Sequence, residues 1–215
     1  MEITQLLERR YWIFDMDGTL TLAVHDFDAI RHQLGLPPGK PILEQLAELP
    51  QKEARHLHQQ LDMIELAIAR RATQANGAIK LLENLTSQGC QLGILTRNNL
   101  INIHATLDAS GLSRYFRDES LVSRHCAPPK PNPAGIHRLL KQWGGHPGEA
   151  VMVGDHLFDL DTGRAAGTAT VYVDNSGEFP YREHADICIR TLDELCISPA
   201  TSCRDSEYSA GRAPA

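Results

Sequence analysis

No cluster of lysine and arginine appears in this 215-residue chain, whose 21 basic and 27 acidic residues leave a formal net charge of −6. The attraction that draws proteins to nucleic acid or to anionic membranes is therefore missing, and neither partner is expected. No apolar run approaches the length of a membrane span, and Met1 to Arg10 carries charges without the apolar centre of a signal peptide. Cysteine is sparse. Cys90, Cys126, Cys188, Cys196 and Cys203 are odd in number, far apart and without C-x-x-C spacing, so neither a disulfide framework nor a zinc site is indicated. A reducing cytoplasm fits best.

What the chain does have is enough apolar residue, 42%, to bury one substantial core with room for a small second unit. Its most informative stretch is Tyr11 to Leu20, where the apolar strand pattern Tyr11-Trp12-Ile13-Phe14 runs into Asp15 and Asp17 and then a glycine turn. In an open α/β sheet, ligands bind beyond the carboxyl ends of the strands, which puts both carboxylates on the floor of a crevice.

After Leu20 the pattern turns helical for more than fifty residues. Asp26 is placed to cap a helix presenting Phe27, Ile30 and Leu34 and closing at Gly35; a second helix follows from about Pro41 to Leu49. Beyond Pro50, Leu57, Leu61, Ile64 and Ile68 recur at helical spacing toward Asn76-Gly77. Residues 21–76 thus read as a helical insert. From Gly77 helices and strands alternate: a helix through Ala78, Leu81, Leu82 and Leu85 ending near Gly89, a strand Gln91–Leu95, a short strand at Leu121-Val122, and a helix from Asn132-Pro133 with Ile136, Leu139, Leu140 and Trp143 inside. Strand Ala150–Val153 then leads into Gly154-Asp155, a helix through Leu160 and Arg164 stops at Gly167, and strands follow at Ala169–Val173 and Ala185–Ile189. Strands joined by helices imply an α/β fold, a doubly wound parallel, Rossmann-like sheet with a small α-helical cap. The expected organisation is a core of 1–20 plus 77–198, the insert 21–76, and a disordered tail over 199–215, where Ser, Ala and Gly dominate without periodicity.

Four segments converge on one sheet edge: Asp15 and Asp17, then Thr96, then Lys130 in Pro128-Pro129-Lys130-Pro131, then Asp155 and Asp159. Their order and spacing resemble the four signature motifs of the haloacid dehalogenase superfamily, specifically its Mg²⁺-dependent phosphatase branch, and the resemblance covers roughly residues 10 to 190. It implies a phosphomonoesterase working through an aspartyl-phosphate, with Mg²⁺ held by Asp15, Asp155 and the Asp17 backbone carbonyl. It also identifies the insert as the cap that such enzymes close over substrate, which favours a small phosphorylated metabolite over a phosphoprotein.

The residue types suit that chemistry. A carboxylate such as Asp15 can attack phosphorus and split one difficult displacement into two easier ones. A cation must offset the repulsion between that anion and a phosphate, and Mg²⁺ suits oxygen donors. Asp159, four residues after Asp155, shares a face with it if a helix begins there, and is assigned to buttress the site rather than to ligate directly. Asp17 is placed to protonate the leaving alkoxide and later deprotonate water, helped by crowding that disfavours its charged form. Thr96 offers a hydroxyl to the transferring oxygens, and is also placed to cap the helix that follows; Lys130 neutralises charge on nucleophile and phosphate.

Arg97, Asn98, His25 and His156 stand near these motifs and are assigned to substrate binding. Relatives that cleave carbon–halogen bonds lack a carboxylate at the Asp17 position, so the resemblance implies that this chain does not dehalogenate. It also departs from many capped relatives just after Leu20, where an acidic-Ser pair is common and Thr21-Leu22-Ala23 stands instead. A phosphomutase, which shares the first half-reaction, and a non-catalytic phosphometabolite-binding protein remain open, as do phosphoglycolate, sugar phosphates and nucleoside monophosphates as ligands. A monomer or small homo-oligomer is expected.

Overall fold

A computed structural model describes residues 1–23 and 26–196. The expectations for His25 and for the 199–215 tail lie outside these residues. Six parallel strands form one sheet in the order β3-β2-β1-β4-β5-β6, comprising β1 (Tyr11–Phe14), β2 (Gln91–Leu95), β3 (Leu121–Val122), β4 (Ala150–Gly154), β5 (Ala169–Val173) and β6 (Ile187–Ile189). Trp12 pairs with Leu92 on one side and Val151 on the other, so β1 is central. The strand order reverses direction between β1 and β4, the switch point at which doubly wound sheets open a crevice.

Side chains alternate across a strand, and here both faces are apolar because both are covered. Trp12 and Phe14 face one layer with Leu81, Leu82 and Leu85 of α5 (Ala78–Ser87) and Ile103 and Leu107 of α6 (Leu100–Ser110). Ile13 faces the other with Ile136, Leu139 and Leu140 of α7 (Ala134–Trp143) and Ala166 of α8 (Leu157–Ala166). Each fully buried Leu in these layers contributes about 2 kcal/mol by leaving water.

The insert forms three helices, α2 (Phe27–Gln33), α3 (Ile42–Ala47) and α4 (Gln51–Ala69), which bury their own cluster of Ile30, Leu34, Ile42, Leu46 and Leu61. The Asp26 carboxylate accepts from Ala29 N at 2.9 Å, the expected N-cap. Phe27 departs from expectation: it is 55% exposed rather than packed inside with Ile30 and Leu34. The chain leaves and re-enters the core through two segments lying side by side, with Leu22 N bonded to Thr73 O at 3.0 Å and Ala75 N to Leu20 O at 2.9 Å. The short α1 (Ile3–Leu7), which buries Leu6, was not anticipated in the charged N-terminal stretch. No helix among the described residues is long and apolar enough to cross a membrane.

Candidate active site

β1, β2 and β4 end side by side, and their carboxyl ends deliver Asp15, Thr96 and Asp155 to one place. Lys130 reaches them from the loop before α7. Its buried ammonium donates to Asp15 Oδ1 at 2.6 Å and to Asp159 Oδ1. Burial alone would lower the Lys130 pKa, but the charges of Asp15 and then Asp159 overcome this and hold it well above the ordinary lysine value. The other Asp159 oxygen accepts from His156 N at 3.0 Å, so both of its oxygens are engaged.

One carboxylate oxygen from each of Asp15, Asp155 and Asp159 lies within 4.8 Å of the others. With Asp17, four carboxylates crowd around a single ammonium. Burial raises Asp155 well above the usual carboxylate range, and the charges of Asp15 and Asp159 add to it. Burial likewise pushes Asp159 up, against Lys130. Such a surplus of hard oxygen donors fits a divalent cation of the Mg²⁺ or Ca²⁺ type. Because Asp159 has both oxygens occupied, Asp15 and Asp155 are the side chains better placed to hold one.

Asp17 sits one turn residue beyond, with Asn98 Nδ2 donating to its Oδ2 at 2.5 Å. Its pKa is pushed up to about 7, first by burial and then by the Asp15 charge, with the Asn98 bond opposing. A carboxyl poised near neutrality can both give and take a proton.

Two glycines make this packing possible. A Cβ on Gly18, whose φ is +87°, would fall on the Asp155 carboxylate, and one on Gly154 would overlap the Asp159 side chain. Gly18→Ala is expected to lower stability by about 1–3 kcal/mol, from the backbone conformation alone or more as Asp155 is displaced. Urea denaturation checks this, and an unchanged midpoint would refute it.

Two expectations, the Thr96 cap and the shared helix of Asp155 and Asp159, need revision. Thr96 does not cap the following helix: Asn99 does, accepting from Asn102 N at 2.8 Å, while the Thr96 hydroxyl accepts from Asn98 N at 3.2 Å. Asp155 is not on the helix with Asp159, because α8 begins only at Leu157 with His156 as its N-cap. The two acids meet because the loop turns Asp155 back over the helix start, where Thr19 Oγ1 donates to its Oδ1 at 3.1 Å. His156 lines the cavity, but its Nδ1 accepts from Phe158 N at 3.2 Å and its ring packs against Phe158 and Tyr181. Arg97 also lines the cavity, yet its guanidinium is paired with Glu44 of α3 and lies 5.1 Å above the Phe158 ring.

The cavity between insert and sheet edge measures about 460 Å³. Its floor is Asp15, Asp17, Thr96, Lys130 and Asp155, and its roof comes from the insert. Core and insert also meet through Arg124, whose buried side chain bonds Asp62 at 2.6 Å and Glu65 at 3.0 Å, while Asn99 and Asn102 donate to the same two acids at 2.8 and 3.0 Å. Thr19, Glu44 and this α4 pair join the site without having been expected from the sequence. The glycines next to Asp17 and Asp155 were a readable signal; the long-range ion pairs were not.

The model of the haloacid dehalogenase-like hydrolases matches residues 29–167, from α2 through α8. An uncharacterized hydrolase of Saccharomyces cerevisiae is 30% identical over 190 residues, covering 85% of this chain and 87% of that one. A phosphoglycolate phosphatase of Caulobacter vibrioides is 30% identical over 224 residues, covering 88% and 92%. Among solved structures, a hydrolase from Pseudomonas syringae superposes with a TM-score of 0.73 at 21% identity, over 87% of this chain and 96% of that one. With the sheet, the inserted helices and the acid cluster all in place, the chain belongs to the haloacid dehalogenase-like hydrolases.

Proposed function

We propose that the protein is a Mg²⁺-dependent phosphomonoesterase acting on a small phosphorylated metabolite through an aspartyl-phosphate at Asp15. The observation that carries this reading is the pairing of Asp15 with Lys130 at 2.6 Å on a cavity floor that also holds a second carboxyl, Asp17, near neutral pKa. Nucleophile, charge neutraliser and proton carrier are together, and a phosphoryl transfer asks for little more than position and electrostatics.

Asp15 attacks phosphorus as the ester P–O bond breaks, and protonated Asp17 gives its proton to the departing alkoxide. Asp17, now a carboxylate, then takes a proton from the water that attacks the aspartyl-phosphate, so phosphate leaves and Asp15 is regenerated. Lys130 offsets charge on Asp15 and the transferring oxygens, and the Thr96 hydroxyl is placed to donate to them. Asn98 fixes the orientation of Asp17, and Asp159 anchors Lys130. Mg²⁺ bound by Asp15, Asp155 and the Asp17 carbonyl would supply the positive charge that this acid-rich floor lacks.

The similarity to phosphoglycolate phosphatases of Caulobacter vibrioides and Mesorhizobium japonicum supports a phosphatase of that type. The free Cys90, Cys126, Cys188 and Cys196 are compatible with a cytoplasmic setting. Phosphate release from a broad panel of phosphorylated metabolites, with Mg²⁺ and with EDTA, tests the proposal. Release is expected with Mg²⁺, falling at least about 100-fold in EDTA. No release from any compound would favour a mutase or a binding protein.

A further inference from the structure

On its roof the cavity is walled by Phe27, Pro41, Ile42, Leu43 and Leu61, and three basic side chains besides Lys130 reach it. Two of these are committed elsewhere. Arg97 is held by Glu44 and by the Phe158 ring, and Lys40, with a side chain 62% exposed, bonds both oxygens of Glu48 at 3.0 Å. Arg31 differs. It extends from α2 into the cavity wall with its side chain only 18% exposed, and one terminal nitrogen bonds Asp28, one turn earlier and on the solvent side. Its Nε is buried and has no hydrogen-bond partner among the described residues.

Asp28 takes one terminal nitrogen, and the other, which bonds no described residue and is not sealed in the interior as Nε is, is the donor that an acceptor in the cavity would meet. The guanidinium fork suits a planar or tetrahedral oxyanion, and the apolar wall around it strengthens such a contact by excluding water. The phosphoryl end of a substrate is expected at the floor, against Lys130 and Thr96. A group bound by Arg31 would therefore belong to the leaving-group end.

We propose that Arg31 binds a second acidic group on the substrate, so that the cavity prefers a phosphomonoester whose leaving group carries its own oxyanion, a carboxylate or a second phosphoryl group. This rests on the phosphatase reading of the same cavity. Asp28 orients the guanidinium from outside, and the α2 backbone carries it, so selectivity resides in the insert while the chemistry resides in the sheet edge.

Binding to the full-length Asp15→Asn protein with Mg²⁺, measured by calorimetry, separates this proposal from turnover. The probes are phosphoglycolate, ethylene glycol bisphosphate and the neutral-tailed ethyl phosphate. At least one of the acidic probes is expected to bind about 10- to 100-fold more tightly than ethyl phosphate, as a charge-assisted contact should. Tight binding of phosphoglycolate alone identifies a carboxylate, and of the bisphosphate alone a second phosphoryl group. Adding Arg31→Gln, or Arg31→Met if the first variant misfolds, is expected to abolish the advantage of the acidic probe. A general distortion of the roof would weaken all three probes alike. Equal affinities before the second substitution, or an advantage that survives it, would overturn the role of Arg31. Wild-type phosphate release from the broad panel is scored separately: if no compound is hydrolysed, it is the phosphatase reading that fails, and the binding ratios still decide Arg31.

Discussion

The Asp15→Asn protein is expected to release no phosphate above background, a loss on the order of 10⁴-fold or more, as when a nucleophile is removed from a concerted set of groups. The amide matches the carboxylate in shape but cannot form the acyl phosphate. Stability should move the other way or not at all. Asp15 is one of four acids around a single ammonium, and its charge helps raise both Asp17 and Asp155 above their ordinary values. Removing it relieves that repulsion, while Lys130 keeps its bond to Asp159. Phosphate assays on the best substrate, with thermal melting in EDTA alongside, check both halves. Residual turnover within tenfold of wild type would sink the nucleophile assignment.

Lys130→Met should show the opposite pattern, losing activity and stability together. Lys130 is buried and its ammonium joins two acids from different elements, Asp15 after β1 and Asp159 in α8. Methionine fills most of the volume but leaves both carboxylates buried without a counter-charge. Breaking one side of such a pair costs about 3–5 kcal/mol, and in a domain of this size that lowers the melting midpoint by roughly 10 °C. Turnover should fall by about 10²–10³-fold, the usual penalty for removing one electrostatic stabiliser of the transition state. Melting in EDTA is the cleaner measurement, because an added cation would replace part of the missing charge. An unchanged midpoint would show that the acids take up protons rather than rely on the lysine.

The contrast between these variants follows from features with unequal legibility in the sequence. The strand ending at Asp15 was readable because an apolar run has no other reason to stop at two acids, and β2, β3 and β5 fall at the expected residues. Helix α6 is expected after Thr96 but without bounds, because its apolar residues do not gather on one face; Asn99 and Gly111 mark its ends. Asp155 and Asp159 meet as expected, but not through a shared helix. Spacing of four suggested one helical face, whereas the proximity comes from a loop folding over the helix start, which local periodicity cannot encode. Arg97 stands beside Thr96 and lines the cavity, whereas its pairing with Glu44, 53 positions away in the insert, has no local signal in the sequence. Phe27 fits the apolar period of α2 and is nonetheless exposed at the cavity, since periodicity does not distinguish a core wall from a pocket wall.

The two segments that join the helical insert to the sheet, near residues 20–22 and 73–75, are hydrogen-bonded to one another. Seen from the catalytic floor, fifty residues are stitched in at what is geometrically a single hairpin. The entropy of closing that junction grows only with the logarithm of the length enclosed, about 0.6 kcal/mol for each doubling, so the floor is nearly indifferent to the size of what is sewn there. A lineage carrying this scaffold can therefore trade one roof for another and meet new metabolites, while the strands that aim Asp15, Thr96 and Asp155 need not change by a residue.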